Sequence, residues 1–231
     1  MLGGVVFPLV WLFPASKAVK RDRIQKIIQL SFRFFLGVVE AMKLMTFRCE
    51  GSEILENGKG GLVVANHPTL LDVVLLISCM PQADCIVKKD AWKNIFIGSI
   101  VSWAGYIPND DGPGLIEAAM ARVREGRKVI IFPEGTRSFP DGLRPFNKGF
   151  AHIAVRAPCA LWPVLMTCHP SALTKGRRVF DVPATRARLT AVVGRPLNPA
   201  DYYNGKDGAP IAARKVVAVV ENYFNERVHH G

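Results

Sequence analysis

From residue 61 onward one pattern recurs: a short apolar run, a polar turn, then a stretch with helical spacing. The runs fall at 62–65 (Leu-Val-Val-Ala), 85–87, 128–132 (Lys-Val-Ile-Ile-Phe), 161–167 and 188–193. Short apolar runs bounded by turn residues are expected to be buried strands. Helical patterns at 69–80, 91–104, 115–124, 149–156 and 211–227 alternate with them. Strands alternating with helices predict an α/β architecture, with helices covering the sheet. Residues 200–210 read as a loop before the last helix.

The chain has 231 residues, a formal net charge of +11, 49% hydrophobic residues and only 21% charged ones. That aliphatic content excludes a disordered chain. The 20 Gly and 16 Pro follow no period, which excludes collagen-like and coiled-coil repeats. Five cysteines form no C-x-x-C pair, and an odd number leaves one thiol unpaired, which suits a reducing compartment.

The segment before residue 49 differs from the rest. Residues 1–15 are apolar, lack leading basic residues, and are interrupted by Pro8 and Pro14. They do not form a standard signal peptide, and they fall short of the roughly 20 residues that span a bilayer. Residues 24–45 place Ile24, Ile27, Ile28, Phe34, Phe35, Val38, Val39 and Met42 near helical spacing, interspersed with Arg33, Glu40 and Lys43. With the basic cluster at 17–26, this predicts an amphipathic helix at a membrane interface, its cations against anionic headgroups. A core helix of a soluble protein is the alternative. Two units are expected: an N-terminal interfacial segment at 1–48 and a catalytic domain at 49–231.

Two polar blocks directly follow expected strands, where open α/β sheets place ligands. The first is Asn66-His67-Pro68-Thr69-Leu70-Leu71-Asp72. A carboxylate early in the following helix can fold back on the His67 ring, fix its tautomer and leave the other nitrogen to take a proton. The simpler reading is a helix cap, with Asn66 or Thr69 at the helix start and Asp72 at its positive end. The second block is Phe132-Pro133-Glu134-Gly135-Thr136-Arg137-Ser138. Gly135 permits unusual backbone or close ligand approach, Arg137 offers a planar fork for an anion, and Glu134 can orient a hydroxyl or that Arg. A turn with a local ion pair is its simpler reading.

Together the two blocks, 67 residues apart from His67 to Glu134, resemble the 1-acyl-sn-glycerol-3-phosphate (lysophosphatidic acid) acyltransferase family of lysophospholipid acyltransferases. That family has an H-x4-D block, a G-x-I-type block, an F-P-E-G-T-R-S block and a later Pro-Val strand. Here the last three are residues 105–108, 132–138 and 162–164. Lys88 and the run Phe146-Asn147-Lys148-Gly149 are similar to family positions as well. The resemblance covers about residues 60–195. It implies a mixed sheet flanked by helices, and transfer of a fatty acyl group from an acyl thioester, on coenzyme A or acyl carrier protein, to a lipid hydroxyl. By that resemblance His67 is the general base, Asp72 its orienting partner, and Asn66, Lys88, Glu134, Gly135, Thr136 and Arg137 bind substrate. Backbone N–H groups at the start of the helix after His67 are expected to stabilise the oxyanion. No cofactor or metal is implied, and the partners are membrane lipids and the acyl donor. The place implied is the cytoplasmic face of the inner membrane, peripheral or monotopic.

One departure stands out. Where relatives acting on phosphate-bearing glycerol continue to a phosphate-holding Arg, this chain has Asp110 and Asp111, which repel phosphate. Residues 109–111 and 173–176 are similar to acyltransferase-like proteins found with aryl polyene or other specialised lipid pathways. A non-phosphate acceptor such as a glycolipid is therefore the second expectation.

Other classes lack their residues. There is no G-x-S-x-G elbow, no G-x-G-x-x-G and no G-x4-G-K-[ST]. His67, His152 and His169 stand too far apart to suggest a metal, and His229 and His230 sit at a terminus. Cys159 and Cys168 read as packing residues. Basic residues are spread over 17–26, 122–128, 137–148, 175–178 and 186–195, with no recognition helix, which argues against nucleic acid as partner. A non-catalytic lipid- or nucleic-acid-binding protein is the remaining alternative.

Overall fold

The computed structural model describes residues 14–94, 98–109, 113–139, 142–176, 183, 185–204 and 206–228. The apolar run at the start lies mostly outside these, as do Asp110, Asp111, His229 and His230. The elements are α1 (Lys17–Ala41), β1 (Met45–Glu50), α2 (Ser52–Asn57), β2 (Gly61–Ala65), α3 (Asp72–Cys79) and β3 (Ala83–Lys88). There follow α4 (Gly98–Trp103), β4 (Ile107–Asn109), α5 (Pro113–Arg124), β5 (Lys128–Ile131), α6 (Gly149–Arg156), β6 (Ala160–His169), β7 (Ala187–Val193) and α7 (Ala209–Val228).

The seven strands form one sheet in the order β1-β7-β6-β2-β5-β3-β4. The four central and neighbouring pairs β6–β2, β2–β5, β5–β3 and β3–β4 are parallel. β7 runs antiparallel to β6 and parallel to β1, so the sheet is mixed. Apolar runs without alternation follow from burial on both faces. Leu62 and Val64 enter one core with Met120, Val123, Phe150, Val216 and Phe224 of α5, α6 and α7. Val63 and Ala65 enter the other with Ile24 and Ile28 of α1 and Leu75 and Leu76 of α3. Adjacent strand residues thus serve opposite cores, as the pleat requires.

The expected strands and most expected helices form close to their predicted bounds. The helix expected at 69–80 begins only at Asp72, because residues 66–71 make the turn that carries the site. The helical stretch expected at 91–104 is instead a 3-10 turn (Lys89–Lys93), an extended Asn94 and the short α4. β1 lies within the region read as the end of the interfacial helix and its boundary. As an edge strand it buries Met45 and Phe47 and exposes Arg48, so it shows no continuous apolar run.

Helix α1 begins seven residues before its apolar pattern. Ser16 caps it, accepting from the Val19 N–H at 3.3 Å, and the helix stops before Lys43, whose φ is +59°. One face is part of the fold. Ile24 and Ile28 are buried, each contributing about 1.5–3 kcal/mol. Around them Arg127, at the turn into β5, donates to Asp22 and to Gln25 Oε1, both at 2.7 Å, and to the fully buried Asp84 of β3. Gln25 Nε2 donates to Asp84 and to the Ala104 carbonyl, both at 3.0 Å. Burial pushes the Asp84 carboxyl up, and Arg127 and Gln25 pull it back. The opposite face carries exposed Leu30, Phe34, Val38 and Met42, four residues apart and thus in one stripe, beside exposed Phe35. No helix among the described residues is long and apolar enough to cross a membrane.

The Arg127 cluster makes a stability prediction. Arg127→Met removes the main partner of a buried carboxylate, leaving it Gln25 and a longer contact to Arg122 at 3.9 Å, and is expected to cost about 3 kcal/mol in urea unfolding. Adding Asp84→Leu should recover much of that loss. A single variant as stable as the wild type would show that the cluster does not hold α1.

Candidate active site

The parallel strands β2, β5 and β3 all end at the same edge of the sheet, and there the polar blocks meet. His67 leaves β2 and Asp72 opens α3, so the carboxylate faces back across the turn. Asp72 Oδ2 lies 2.7 Å from His67 Nδ1 and accepts from the Thr69 N–H at 2.7 Å. Its other oxygen accepts from the Thr69 hydroxyl at 2.6 Å. An ionised carboxylate only accepts, so Nδ1 carries the imidazole proton and Nε2 is left with a lone pair. Burial pushes the fully buried Asp72 carboxyl up, and the bonds from His67 and Thr69 draw it back down. The His67 side chain keeps 20% of its exposure, and its ring stacks on Phe132 with centroids 4.3 Å apart.

The second block clamps the backbone of the first. Glu134 Oε1 accepts from the His67 N–H at 3.0 Å and from the Ser138 hydroxyl at 2.7 Å; Oε2 accepts from the Arg144 N–H at 2.8 Å. The Ser138 N–H donates to the His67 carbonyl at 2.8 Å. Gly135 makes the turn at φ +67°, where a Cβ would come within 3.0 Å of the Asn147 amide nitrogen. Arg137 is half-buried and donates to the Leu173 carbonyl at 3.0 Å. Arg144 donates to the Arg137 carbonyl at 3.0 Å and lies over the Phe139 ring at 3.6 Å.

His67, Asp72, Glu134, Gly135, Thr136 and Arg137 are therefore brought together. Asn66 stands beside them but spends its carboxamide on the backbone of β6, donating to the Met166 carbonyl at 2.8 Å and accepting from its N–H at 2.7 Å. Lys88 is exposed at the end of β3, separated from β2 by β5. Glu134 is buried with its two oxygens on protein donors. Of the N–H groups expected to serve an oxyanion, those of the turn before α3 are already engaged. The N–H of Thr69 goes to Asp72, that of Leu70 to the Leu173 carbonyl, and that of Leu71 to the Thr69 hydroxyl. Sequence reasoning did not select Phe132, Ser138, Arg144 or Leu173. Phe132 and Ser138 lie inside the quoted block, whereas Leu173 acts through its carbonyl and Arg144 reaches Glu134 through its main-chain N–H, atoms that carry no residue-type signal.

Comparison with known proteins gives a consistent picture. The profile of the Acyltransferase family matches residues 46–167. A 1-acyl-sn-glycerol-3-phosphate acyltransferase of Cocos nucifera is 32% identical over 145 residues, covering 59% of this chain and 46% of that protein. The enzyme of that name from Bacillus subtilis is 27% identical over 181 residues, covering 76% of this chain and 83% of that protein. The human beta form is 27% identical over 159 residues, covering 65% of this chain and 54% of that protein. The chain thus spans only about half the length of the coconut and human relatives. The crystal structure of the 1-acyl-sn-glycerophosphate acyltransferase PlsC from Thermotoga maritima shares the fold, with a TM-score of 0.77 and 21% identity. That match covers 99% of this chain and 87% of the other. The family match spans more than half of the chain and includes both polar blocks, so this protein belongs to the acyltransferase family.

Proposed function

We propose that the protein transfers a fatty acyl group from an acyl thioester, on coenzyme A or acyl carrier protein, to the free hydroxyl of 1-acylglycerol 3-phosphate. The observation that carries this reading is the His67 ring, held at Nδ1 by a buried carboxylate, braced on Phe132 and partly open to solvent. His67 Nε2 takes the hydroxyl proton as the acceptor oxygen attacks the thioester carbonyl. When the tetrahedral adduct collapses, the C–S bond breaks and the thiolate leaves with that proton from His67. A positioned base of this kind contributes typically 10² to 10⁴-fold. No acyl-enzyme is required. Cys168, within electrostatic reach of Asp72, has its thiol pushed up by burial and is a poor nucleophile.

In this reading Arg137 presents its guanidinium to the acceptor phosphate and the turn at Gly135 and Thr136 approaches the glycerol, with Lys88 as a second cation at the same sheet edge. Asn66 and Glu134 act through the backbone they hold. The names of the curated relatives favour a phosphate-bearing acceptor over the glycolipid alternative. The reaction is placed at a membrane surface, on the cytoplasmic face of the cell membrane. The stripe of Leu30, Phe34, Val38 and Met42 supports this. α1 ends where β1 begins, and β1 and β7 start at the sheet edge where β2 and β6 end, so the stripe rises toward the site. Leu70, three residues from His67, is 48% exposed there.

Two tests follow. Purified protein should convert lysophosphatidate and acyl-CoA to phosphatidate, with His67→Ala lowering turnover by about 10² to 10⁴-fold and Asp72→Asn by a smaller factor. Full activity in His67→Ala would remove the base assignment, and preference for a neutral monoacylglycerol would move the acceptor to the non-phosphate class. In flotation assays the protein should rise with anionic vesicles, more weakly at high salt, and Phe34→Asp/Val38→Asp should stay at the bottom. Equal flotation of that variant would show that the stripe is not the docking face.

A further inference from the structure

Leu173 lies in the loop after β6 and is one of two non-glycine residues among those described with a positive φ, at +54°. Such a conformation is unusual for an aliphatic residue. Its neighbours hold it there: Ala172 and Thr174 are buried, and the Leu173 side chain packs against the core on the α3 side of the sheet. The carbonyl turned inward by this conformation accepts two hydrogen bonds, from the Leu70 N–H at 3.2 Å and from Arg137 at 3.0 Å. Leu70 belongs to the His67 turn and Arg137 to the Glu134 turn. One carbonyl therefore joins the two polar blocks from a third segment, 36 residues beyond Arg137.

A guanidinium has five donors in a rigid plane. Fixing one of them on a backbone oxygen orients the others. Among the described residues, the bond to Leu173 is the only one the Arg137 side chain makes within the protein. Without it, a long side chain would have to be ordered by the ligand itself, and binding would bear that entropy.

We propose that Leu173 is a positioning residue for acceptor recognition: its left-handed backbone aims a carbonyl that orients the Arg137 fork toward an anionic group beside His67. This rests on the acceptor reading above and deepens it. The role is in binding; the His67–Asp72 pair itself is held by other bonds, from Thr69 and the 134–138 turn.

The test separates conformation from packing. Leu173→Val keeps an apolar side chain of similar size, but a β-branched residue resists positive φ; Leu173→Asn loses the apolar contact yet tolerates that region. If Leu173 served only to pack, Asn would be the worse substitution. We expect the reverse. By titration calorimetry with a short-chain lysophosphatidate below its micelle concentration, Leu173→Val should weaken binding about tenfold and Leu173→Asn several-fold less. Binding of the matching neutral monoacylglycerol should not distinguish the two. In an Arg137→Ala background the difference between Val and Asn should vanish, since coupled residues are not additive. Asn as weak as or weaker than Val, or a Val effect undiminished in the Arg137→Ala background, would overturn the inference. So would a wild-type protein that binds no lysophosphatidate, whatever it acylates. A wild type that binds lysophosphatidate with this pattern and yet transfers no acyl group to it would instead remove the proposed reaction and leave the role of Leu173 standing.

Discussion

The site depends on one buried carboxylate that, among the described residues, pairs with no arginine or lysine side chain. Glu134 is held by a histidine N–H, a serine hydroxyl and an arginine main-chain N–H, drawn from two separate segments of chain. Neutral donors converging on a buried carboxylate offset the loss of its water. The consequence is geometric. The His67 N–H and carbonyl are both bonded to the 134–138 turn, so the turn after β2 cannot move independently of the turn after β5. Replacing Glu134 by a residue without acceptors would remove three hydrogen bonds at once, one of them buried, leaving the His67 N–H only its longer contact of 3.3 Å to the Ser138 hydroxyl. Asp72 then acts on a ring whose backbone is already fixed.

What was legible in the sequence divides along local and distant interactions. The central strands were readable because burial on both faces makes their apolar runs continuous, as at 62–65 and 128–131. The partnership of His67 and Asp72 was readable because it closes over five residues of one turn. β1 was not, because Met45 and Phe47 alternate with Thr46 and Arg48 and follow directly on a helix that is itself apolar on one side. The roles of Arg144 and Leu173 were also hidden. Each supplies a backbone atom, Arg144 to Glu134 ten residues back and Leu173 to Arg137 36 residues back, and any amino acid carries an N–H or a carbonyl there, proline's missing N–H aside.

The N-terminal helix shows how a chain of net charge +11 can also be apolar on average. The cations at 17–26 do not all face outward as a single patch. Arg21 pairs with Glu125 at 3.0 Å, so part of the charge is used in docking α1, while Lys26 donates within the helix to Gln29 at 2.7 Å. Asp22 and Gln25 reach the other way, to Arg127. The helix is a core helix through Ile24, Ile28 and its polar clamp, and it also carries an exposed apolar stripe through Leu30, Phe34, Val38 and Met42. Docking one face on the fold gives the other face a fixed position relative to His67.

The competing account of the His67 turn, a helix cap with no chemistry, makes a different geometric demand. A capping side chain precedes the first helical residue and accepts from N–H groups two or three positions ahead of it. That account puts Asn66 or Thr69 at the cap and Asp72 at the positive end of the helix. Asp72 is the first residue of α3, but Asn66 spends its carboxamide on Met166 and the N-cap position belongs to Leu71, whose side chain makes no capping bond. The oxygens of Asp72 point backward instead, to the ring of His67 and to the N–H and hydroxyl of Thr69. Burying a carboxylate completely in order to bond groups that precede it is costly, and a solvated turn would satisfy Thr69 without it. The residue that gains from the arrangement is His67, whose ring acquires one tautomer, one orientation and an unoccupied Nε2. That asymmetry is what supports the proposed role of His67 as a base.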